Sequence, residues 1–217
     1  MDPILVEDFE VEALPQSVKN IITSLEQCVT EPSRNDILVG VIYILMLEYG
    51  FVPNHCKDSS PNQGFNLKQL LEYSKELPQN WKEHGIYTLW FYLKGYEQNQ
   101  CNIVCCPSLD DLIVNCYITK IENSVFTMLV DSLSYFSSSN VNARRLNFQN
   151  LKGLSFKIKS TICYPVYQTI LRSHLRFDKC MEAMPFELIL LLKKYLRKFD
   201  FQNFQIAFNI QFSINYT

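Results

Sequence analysis

The stretch from Ile37 to Tyr49 reads Ile-Leu-Val-Gly-Val-Ile-Tyr-Ile-Leu-Met-Leu-Glu-Tyr, and it constrains the fold more than any other part of the chain. Asn35 or Asp36 can cap a helix there and Gly50 can stop it. Such a helix is apolar nearly all round, so it has no face to offer water and must be central to a core. Its apolar run, Ile37 to Leu47, falls well short of the roughly 20 residues that cross a bilayer. With 217 residues and 47% hydrophobic side chains, the chain has material for one sizeable core, or a core with a small satellite.

Residues 14–29 place Val18, Ile21, Ile22, Leu25 and Val29 at helical spacing behind Pro15, the pattern of a packing helix. Residues 51–64, with Pro53, Ser59, Ser60, Pro61 and Asn62, read as a loop. Leu67, Leu70 and Leu71 indicate a short helix before Pro78. From Gly85 to Lys94 β-branched and aromatic residues predominate, and Gly95 with the polar run to Gln100 links this strand to a second, Cys101 to Cys106. Leu112 to Ile121 and Val125 to Ser132 make a third and fourth, joined by Glu122-Asn123-Ser124. Links this short mean an antiparallel meander, with the helix at 37–49 packed on one face. Beyond polar residues 137–140, Phe148, Leu151, Ser155, Ile158 and Ile162 keep a 3.6 period, and Pro165 opens a further helix through Val166, Ile170 and Leu171. Helices on both sides of a strand block predict the α+β class, with an antiparallel sheet of about four to five strands packed against helices.

Twenty Lys+Arg against 22 Asp+Glu leave a net charge of −2, so no field draws nucleic acid or an anionic membrane. The acidic opening from Met1 lacks a basic n-region, which argues against a secretory leader and for a cytoplasmic or nuclear address. The eight cysteines are then expected as free thiols. Cys101, Cys105 and Cys106, with His55-Cys56 far away, lack paired ligand spacing, so no metal is expected. No glycine-rich phosphate cradle, H-E-x-x-H, G-x-S-x-G or nucleotide fingerprint is present, and no cofactor is expected. One catalytic reading remains, a thiol enzyme pairing a cysteine with His84 as base. It requires a depressed thiol pKa in an accessible pocket. Binding rather than turnover is the expectation.

The C-terminal segment has a different texture. Residues 177–183 read as a linker, after which Met184-Pro185-Phe186-Glu187-Leu188 opens a Leu-rich helix and Asp200 can cap a second through Phe204 and Ala207. Pro185 starts the first helix, and Leu188, Leu192 and Leu196 fall at i, i+4 and i+8, a ridge able to enter a partner's groove. Pro185-x-Glu187-Leu188-Ile189, then Leu192, Tyr195-Leu196 and Asp200-Phe201 resemble the opening of an F-box, L-P-x-E-L-L followed by Y-L and D-L. Residues 206–212 depart from the usual continuation into a third helix, so 184–217 read as a truncated F-box. The resemblance implies that Pro185, Leu188, Leu192 and Leu196 dock the Skp1 subunit of an SCF-type E3 ubiquitin ligase.

Residues 34–176 carry a second resemblance. Asp36 to Pro53, Leu77-Pro78-Gln79-Asn80-Trp81-Lys82, the Gly85 to Leu93 strand, Val104-Cys105-Cys106-Pro107, Leu112 to Asn115 and Tyr164-Pro165 are similar to the FP domain. That domain is shared by the F-box only protein 7 and nutcracker family and by the proteasome inhibitor with a proline-rich tail. After an N-terminal segment, 1–33, with its amphipathic helix, the order FP domain then F-box is that of the first family. What this implies is a non-enzymatic adaptor that recruits substrates for ubiquitination and links it to proteasome regulation. Its FP domain would pair with itself or with that of the proteasome inhibitor. An FP interaction module without ligase activity is the alternative. Pro107 has no N–H to give, which suits a strand end or sheet edge, so the pairing surface is expected on the strand from Cys101 to Cys106. Ile103 and Cys105 would lie on one face and Val104 and Cys106 on the other, one set meeting the partner.

Overall fold

The computed structural model describes residues 4–8, 14–29, 31–56, 67–136, 148–174 and 186–207. Its centre is helix α2 (Arg34–Glu48), buried without a break from Asp36 to Glu48. The cap is Ser33, not Asn35 or Asp36. Ser33 Oγ accepts from the Asp36 N–H at 3.2 Å while the Ser33 N–H donates to Asp36 Oδ2 at 2.7 Å, a reciprocal capping box. The helix therefore starts earlier than its apolar run, because the cap lies a full turn before the first buried carboxylate.

Everything else wraps α2. Helix α1 (Gln16–Cys28) crosses it at Gly40, where a Cβ would lie 3.1 Å from Leu25 Cδ1 and 3.3 Å from Ile21 Cγ1. Glycine costs helix stability, and here the close approach of two helices is the return. After α2 comes a short strand β1 (Phe51–Pro53), then helix α3 (Leu67–Tyr73). Tyr43, deep in α2, donates its hydroxyl to the carbonyls of Tyr73 at 3.1 Å and Glu76 at 3.3 Å, which satisfies a polar atom that burial would otherwise penalise.

The sheet is antiparallel throughout: β2 (Lys82–Glu83), β3 (Ile86–Leu93), β4 (Cys101–Ser108), β5 (Asp111–Ile118) and β6 (Val125–Asp131) join β1 in the order β1-β3-β4-β5-β6, with β2 beside the start of β3. The four-strand meander of the sequence reading is present, and two short strands extend it. β1 falls where a loop was expected, because three residues between Gly50 and Asn54 leave no periodicity to read. The turn between β2 and β3 is His84-Gly85, both with positive φ (51° and 80°), the backbone a two-residue hairpin requires.

Strand β4 is interior from Cys101 to Cys105, flanked by β3 and β5, and this corrects the edge expected there; Pro107 sits at the strand end, where only β5 pairs. The reason is local. Trp90 spends its carbonyl on the Asn54 N–H at 3.0 Å, on the β1 side, so the residues of β4 that face β3 with their backbone groups are the odd ones. Pairing with β3 runs from Phe91↔Cys101 to Tyr87↔Cys105, short of Pro107, whose missing N–H would have pointed past the end of that pairing.

The last helices cover the inner face. Helix α4 (Leu151–Ile158) leads through a π-helical turn (Lys159–Cys163) into α5 (Tyr164–Ser173), with Pro165 in the first turn of α5. Cys163 Sγ lies 3.6 Å from Met46 Sδ of α2. His174 ends α5 against the β3–β4 turn, its Nε2 2.8 Å from Asn99 Oδ1 and its ring 4.8 Å from that of Tyr96. Two further helices, α6 (Phe186–Tyr195) and α7 (Lys198–Ala207), pack on each other, and their buried Ile189 and Phe201 are not members of the main core. Helix α7 begins at Lys198, so Asp200 sits within its first turn and pairs with Arg197 at 3.5 Å rather than capping it.

One ionic cluster lies under the helices. Glu48, wholly buried at the end of α2, accepts the Val6 N–H at 2.8 Å, and Lys159 reaches Glu48 Oε2 at 3.0 Å and Glu7 Oε2 at 3.3 Å. This holds the 3-10 turn Val6–Asp8 against the π turn, with Val6 in the main core. Removing one member of such a cluster leaves an uncompensated buried charge, so Lys159→Met should cost about 3–5 kcal/mol of unfolding free energy. Lys159→Met combined with Glu48→Leu should recover most of that loss. Urea unfolding of both variants checks it, and a loss below about 1 kcal/mol in the single variant would show that Glu48 is compensated elsewhere.

Candidate interaction surfaces

Two surfaces stand out because they leave apolar side chains in water. The first is the sheet face turned away from α2. Alternation along each strand sends Tyr87, Leu89, Phe91, Ile103, Val114 and their neighbours inward, and leaves Ile86, Trp90, Val104, Cys106, Ile113, Tyr117, Val125 and Leu129 on the outer face. Trp90, Asn102, Tyr117 and Val125 are successive cross-strand neighbours. The Trp90 and Tyr117 rings meet edge to face at 6.2 Å, over an Asn102 amide that donates to the Tyr117 oxygen at 2.9 Å. Val125 is 65% and Leu129 51% exposed, so the apolar area is open to solvent.

The expected pairing residues divide accordingly. Ile103 and Cys105 are fully buried against the helices and cannot meet a partner; Val104 and Cys106 lie half-buried on the open face. Because β4 is paired on both sides from Cys101 to Cys105, a second chain has no free backbone to pair with there, and only the face is available.

The second surface is on α6. The expected ridge was Leu188, Leu192 and Leu196. Leu188 is exposed, but Leu192 and Leu196 are half-buried, and Leu196 lies beyond the last residue of the helix. The exposed stripe is instead Leu188, Leu191 and Tyr195, at i, i+3 and i+7, with Phe199 following in α7. Packing of α7 against α6 turns the stripe by one position, which α6 read alone cannot show. Pro185 and the linker lie outside the described residues.

At the β1 end of the open face a cleft of about 830 Å³ is lined by Asn54, His55, Pro78, Asn80, His84 and Trp90 among others. None of the described cysteines lines it. His84 is exposed in its hairpin turn, and among the described residues no group of three or more His, Cys, Asp or Glu is placed to hold a metal. Three thiols move away from the depressed pKa a nucleophile needs. Burial pushes Cys56 up to about 11, with Glu76 and Glu72 adding to the shift; burial likewise raises Cys101 and Cys105. The seven described cysteines are free, and of these Cys28 alone is exposed.

Asp36 shows the opposite behaviour. Burial alone would raise it, but Lys82 Nζ at 2.6 Å, the Ser33 groups and the Tyr87 hydroxyl at 2.9 Å outweigh that and hold its carboxyl below the ordinary value. It ties α2 to β2 and β3 and is a structural group.

No family model matches the chain. It is similar to F-box only protein 7 of Homo sapiens, 26% identical over 161 residues, which cover 71% of this chain and 28% of that protein. The same protein of Bos taurus is 26% identical over 170 residues, and that of Rattus norvegicus 24% over 169, each covering 76% of this chain and 29% of the relative. The relationship is distant, and the match spans less than a third of the relatives' length. Among the described residues no helix is long and apolar enough to cross a membrane.

The thiol environments give a direct test of the catalytic alternative. A pKa of about 11 leaves Cys56 about a hundredfold less thiolate at neutral pH than an ordinary cysteine. With a disulfide reagent at pH 7, Cys28 should label first, Cys56 far more slowly, and Cys101, Cys105, Cys116 and Cys163 only on unfolding. A burst of labelling at any of the last five, read by peptide mapping, would revive the thiol reading.

Proposed function

We propose that the chain is a non-catalytic adaptor of an SCF-type E3 ubiquitin ligase, acting in the cytoplasm or nucleus. Its α6–α7 pair would dock the Skp1 subunit, while the α+β domain pairs through its open sheet face with the FP domain of the proteasome inhibitor or with a second copy. Substrates brought by the domain would then be presented for ubiquitination beside a regulator of the proteasome. The observation that carries the reading is the exposed Leu188, Leu191 and Tyr195 stripe on a helical pair outside the main core, in a chain similar to F-box only protein 7.

The energetics allow it. Burying one leucine contributes roughly 1.5–3 kcal/mol, so Leu188 and Leu191 with a Tyr suffice for recognition once the cost of association is offset. Titration of purified Skp1 should detect binding that Leu188→Asp or Leu191→Asp weakens by at least about tenfold, or 1.4 kcal/mol. Absence of Skp1 binding would remove the ligase role and leave an FP-type interaction module.

The pairing surface is tested separately. Val104→Glu or Cys106→Glu places a charge in the middle of the open face, where a partner could not desolvate it without a mate. Each should abolish capture of the proteasome inhibitor's FP domain while circular dichroism and thermal melting stay close to wild type. Undiminished capture by both would put the pairing surface elsewhere.

A further inference from the structure

The cleft at the β1 end of the open face has a lining unlike either apolar surface. Four side-chain amides reach it, those of Asn54, Gln79, Asn80 and Gln100, together with the Thr88 hydroxyl and the Glu83 carboxylate, and among the described residues no Lys or Arg does. Of its two imidazoles, burial holds that of His55 below the ordinary value, toward the neutral form. An apolar ligand would desolvate these groups and leave them unpaired, and a phosphate would meet a carboxylate without a Lys or Arg to receive it. What matches is a neutral ligand rich in hydroxyls, because an amide and a hydroxyl each donate and accept. Trp90, 36% exposed and fixed edge to face against Tyr117, adds an apolar plate to this polar lining.

Each amide sits on backbone that the fold has already fixed. The Asn54 N–H donates to the Trp90 carbonyl at 3.0 Å. The Pro78 carbonyl accepts the Trp81 N–H at 3.3 Å and closes the turn that carries Gln79 and Asn80. Trp81 anchors that turn, its ring stacked on Tyr87 at 5.4 Å and its carbonyl accepting the Thr88 N–H at 2.9 Å. Asn80 holds a φ of 61°, a conformation that Asn adopts more readily than most side chains. The Gln100 N–H donates to Thr119 Oγ1 at 3.0 Å, and its carbonyl accepts the Thr119 N–H at 2.7 Å. The side chains, by contrast, are uncommitted. Asn20, Asn99, Asn115 and Asn150 engage their amides within the protein, whereas among the described residues no hydrogen bond engages those of the cleft. Free amides on fixed backbone lower the ordering cost of binding.

We propose that the cleft binds a neutral saccharide, with the C–H face of one sugar ring on Trp90 and the ring hydroxyls shared among the amides of Asn54, Asn80 and Gln100 and the Glu83 carboxylate. A sugar ring presents the two surfaces that this lining requires: a rim of hydroxyls that donate and accept, and a C–H face apolar enough to cover an indole. The volume of about 830 Å³ is that of a ligand pocket and admits about two or three linked rings. A cationic peptide is the competing ligand, because a carboxylate and an indole both attract cations. The four amides decide between them: a cation has no use for their donors, and a saccharide uses donor and acceptor alike. The site needs neither Skp1 nor a second FP domain, so it stands apart from the adaptor reading.

The experiment titrates the full chain with neutral trisaccharides, namely maltotriose, mannotriose and chitotriose, and reads tryptophan emission and saturation-transfer NMR. Of the chain's two tryptophans Trp81 is buried and Trp90 exposed, so a saturable change in emission reports Trp90. At least one trisaccharide should give that change and receive transfer on its ring protons. Asn80→Gly keeps the left-handed backbone and removes the amide, and it should weaken binding by at least about tenfold. Trp90→Ala should abolish the transfer, with circular dichroism and thermal midpoint of both variants close to wild type. Glu83→Gln keeps an acceptor and should change the affinity by less than about threefold, because a neutral ligand does not need the charge. Binding by none of the trisaccharides, or binding left unchanged by Asn80→Gly or by Trp90→Ala, overturns the proposal. So does a tetralysine peptide that binds more tightly than every trisaccharide and is lost with Glu83→Gln, which would make the cleft a cation site.

Discussion

A helix with no polar face has to be enclosed on every side, and α2 imposes that requirement on the whole domain. One side is closed by the sheet, with the Tyr43 and Phe91 rings 5.6 Å apart; the others are closed by α1, α3 and the helices that follow the sheet. Enclosure buries three polar side chains on α2 almost completely, and each is answered by a residue distant in sequence, while Asn35 Oδ1 in the first turn is buried without a hydrogen bond. Asp36 takes Lys82 and Tyr87, Tyr43 takes the carbonyls of Tyr73 and Glu76, and Glu48 takes Val6 and Lys159. Burial supplies the driving force without direction; these three polar contacts fix which neighbour sits where.

The same requirement makes the sheet one-sided. Helices before and after the strands are both drawn to the inner face, so no element among the described residues remains to cover Trp90, Val104, Tyr117 and Leu129. An antiparallel sheet tolerates this when its outer residues are polar, and here several are not. The small α6–α7 pair has the complementary difficulty. These two helices of ten residues bury Ile189 and Phe201 and leave Leu188, Leu191, Tyr195 and Phe199 exposed. Among the described residues, both exposed surfaces lack a covering element.

What could be read from the residues followed how local the determinant is. The α2 helix, the meander from residue 85 to 132 and the helical period after Phe148 are repeated patterns over many positions, and each is present. Strand β1 has three residues and no period. The Ser33 cap was hidden because Asn35 and Asp36 are also cap formers and only the reciprocal bond with Asp36 decides among them. The interior place of β4 depends on where β3 stops, which the proline alone does not encode. For the candidate surfaces, strand alternation identified Val104 and Cys106 as a set opposite to Ile103 and Cys105, but which set faced water depended on the side taken by the helices. On α6, a stripe at i, i+4, i+8 and one at i, i+3, i+7 are equally helical. The packing of α6 and α7 on each other chose between them, and that is a tertiary fact.

The open face is also not uniformly apolar, and this bears on how it discriminates. Asn102, Asn115 and Thr127 occupy its middle, and part of their hydrogen bonding is met before any partner arrives: Asn102 donates to Tyr117, and Thr127 to Asn115 at 2.8 Å, while Asn102 Oδ1 is buried without a hydrogen bond. A partner that covers the face need not supply a bond for the Thr127 hydroxyl, and it gains from burying the Ile86, Trp90, Val125 and Leu129 side chains around it. A surface that placed a hydrophobic group against the half-buried Asn115 amide would desolvate it without return, whereas Asn102 is already buried in the free molecule. Apolar contacts at the periphery supply attraction, and the Asn115 amide at the centre penalises poor matches, so selectivity comes from the few polar residues rather than from the larger apolar area.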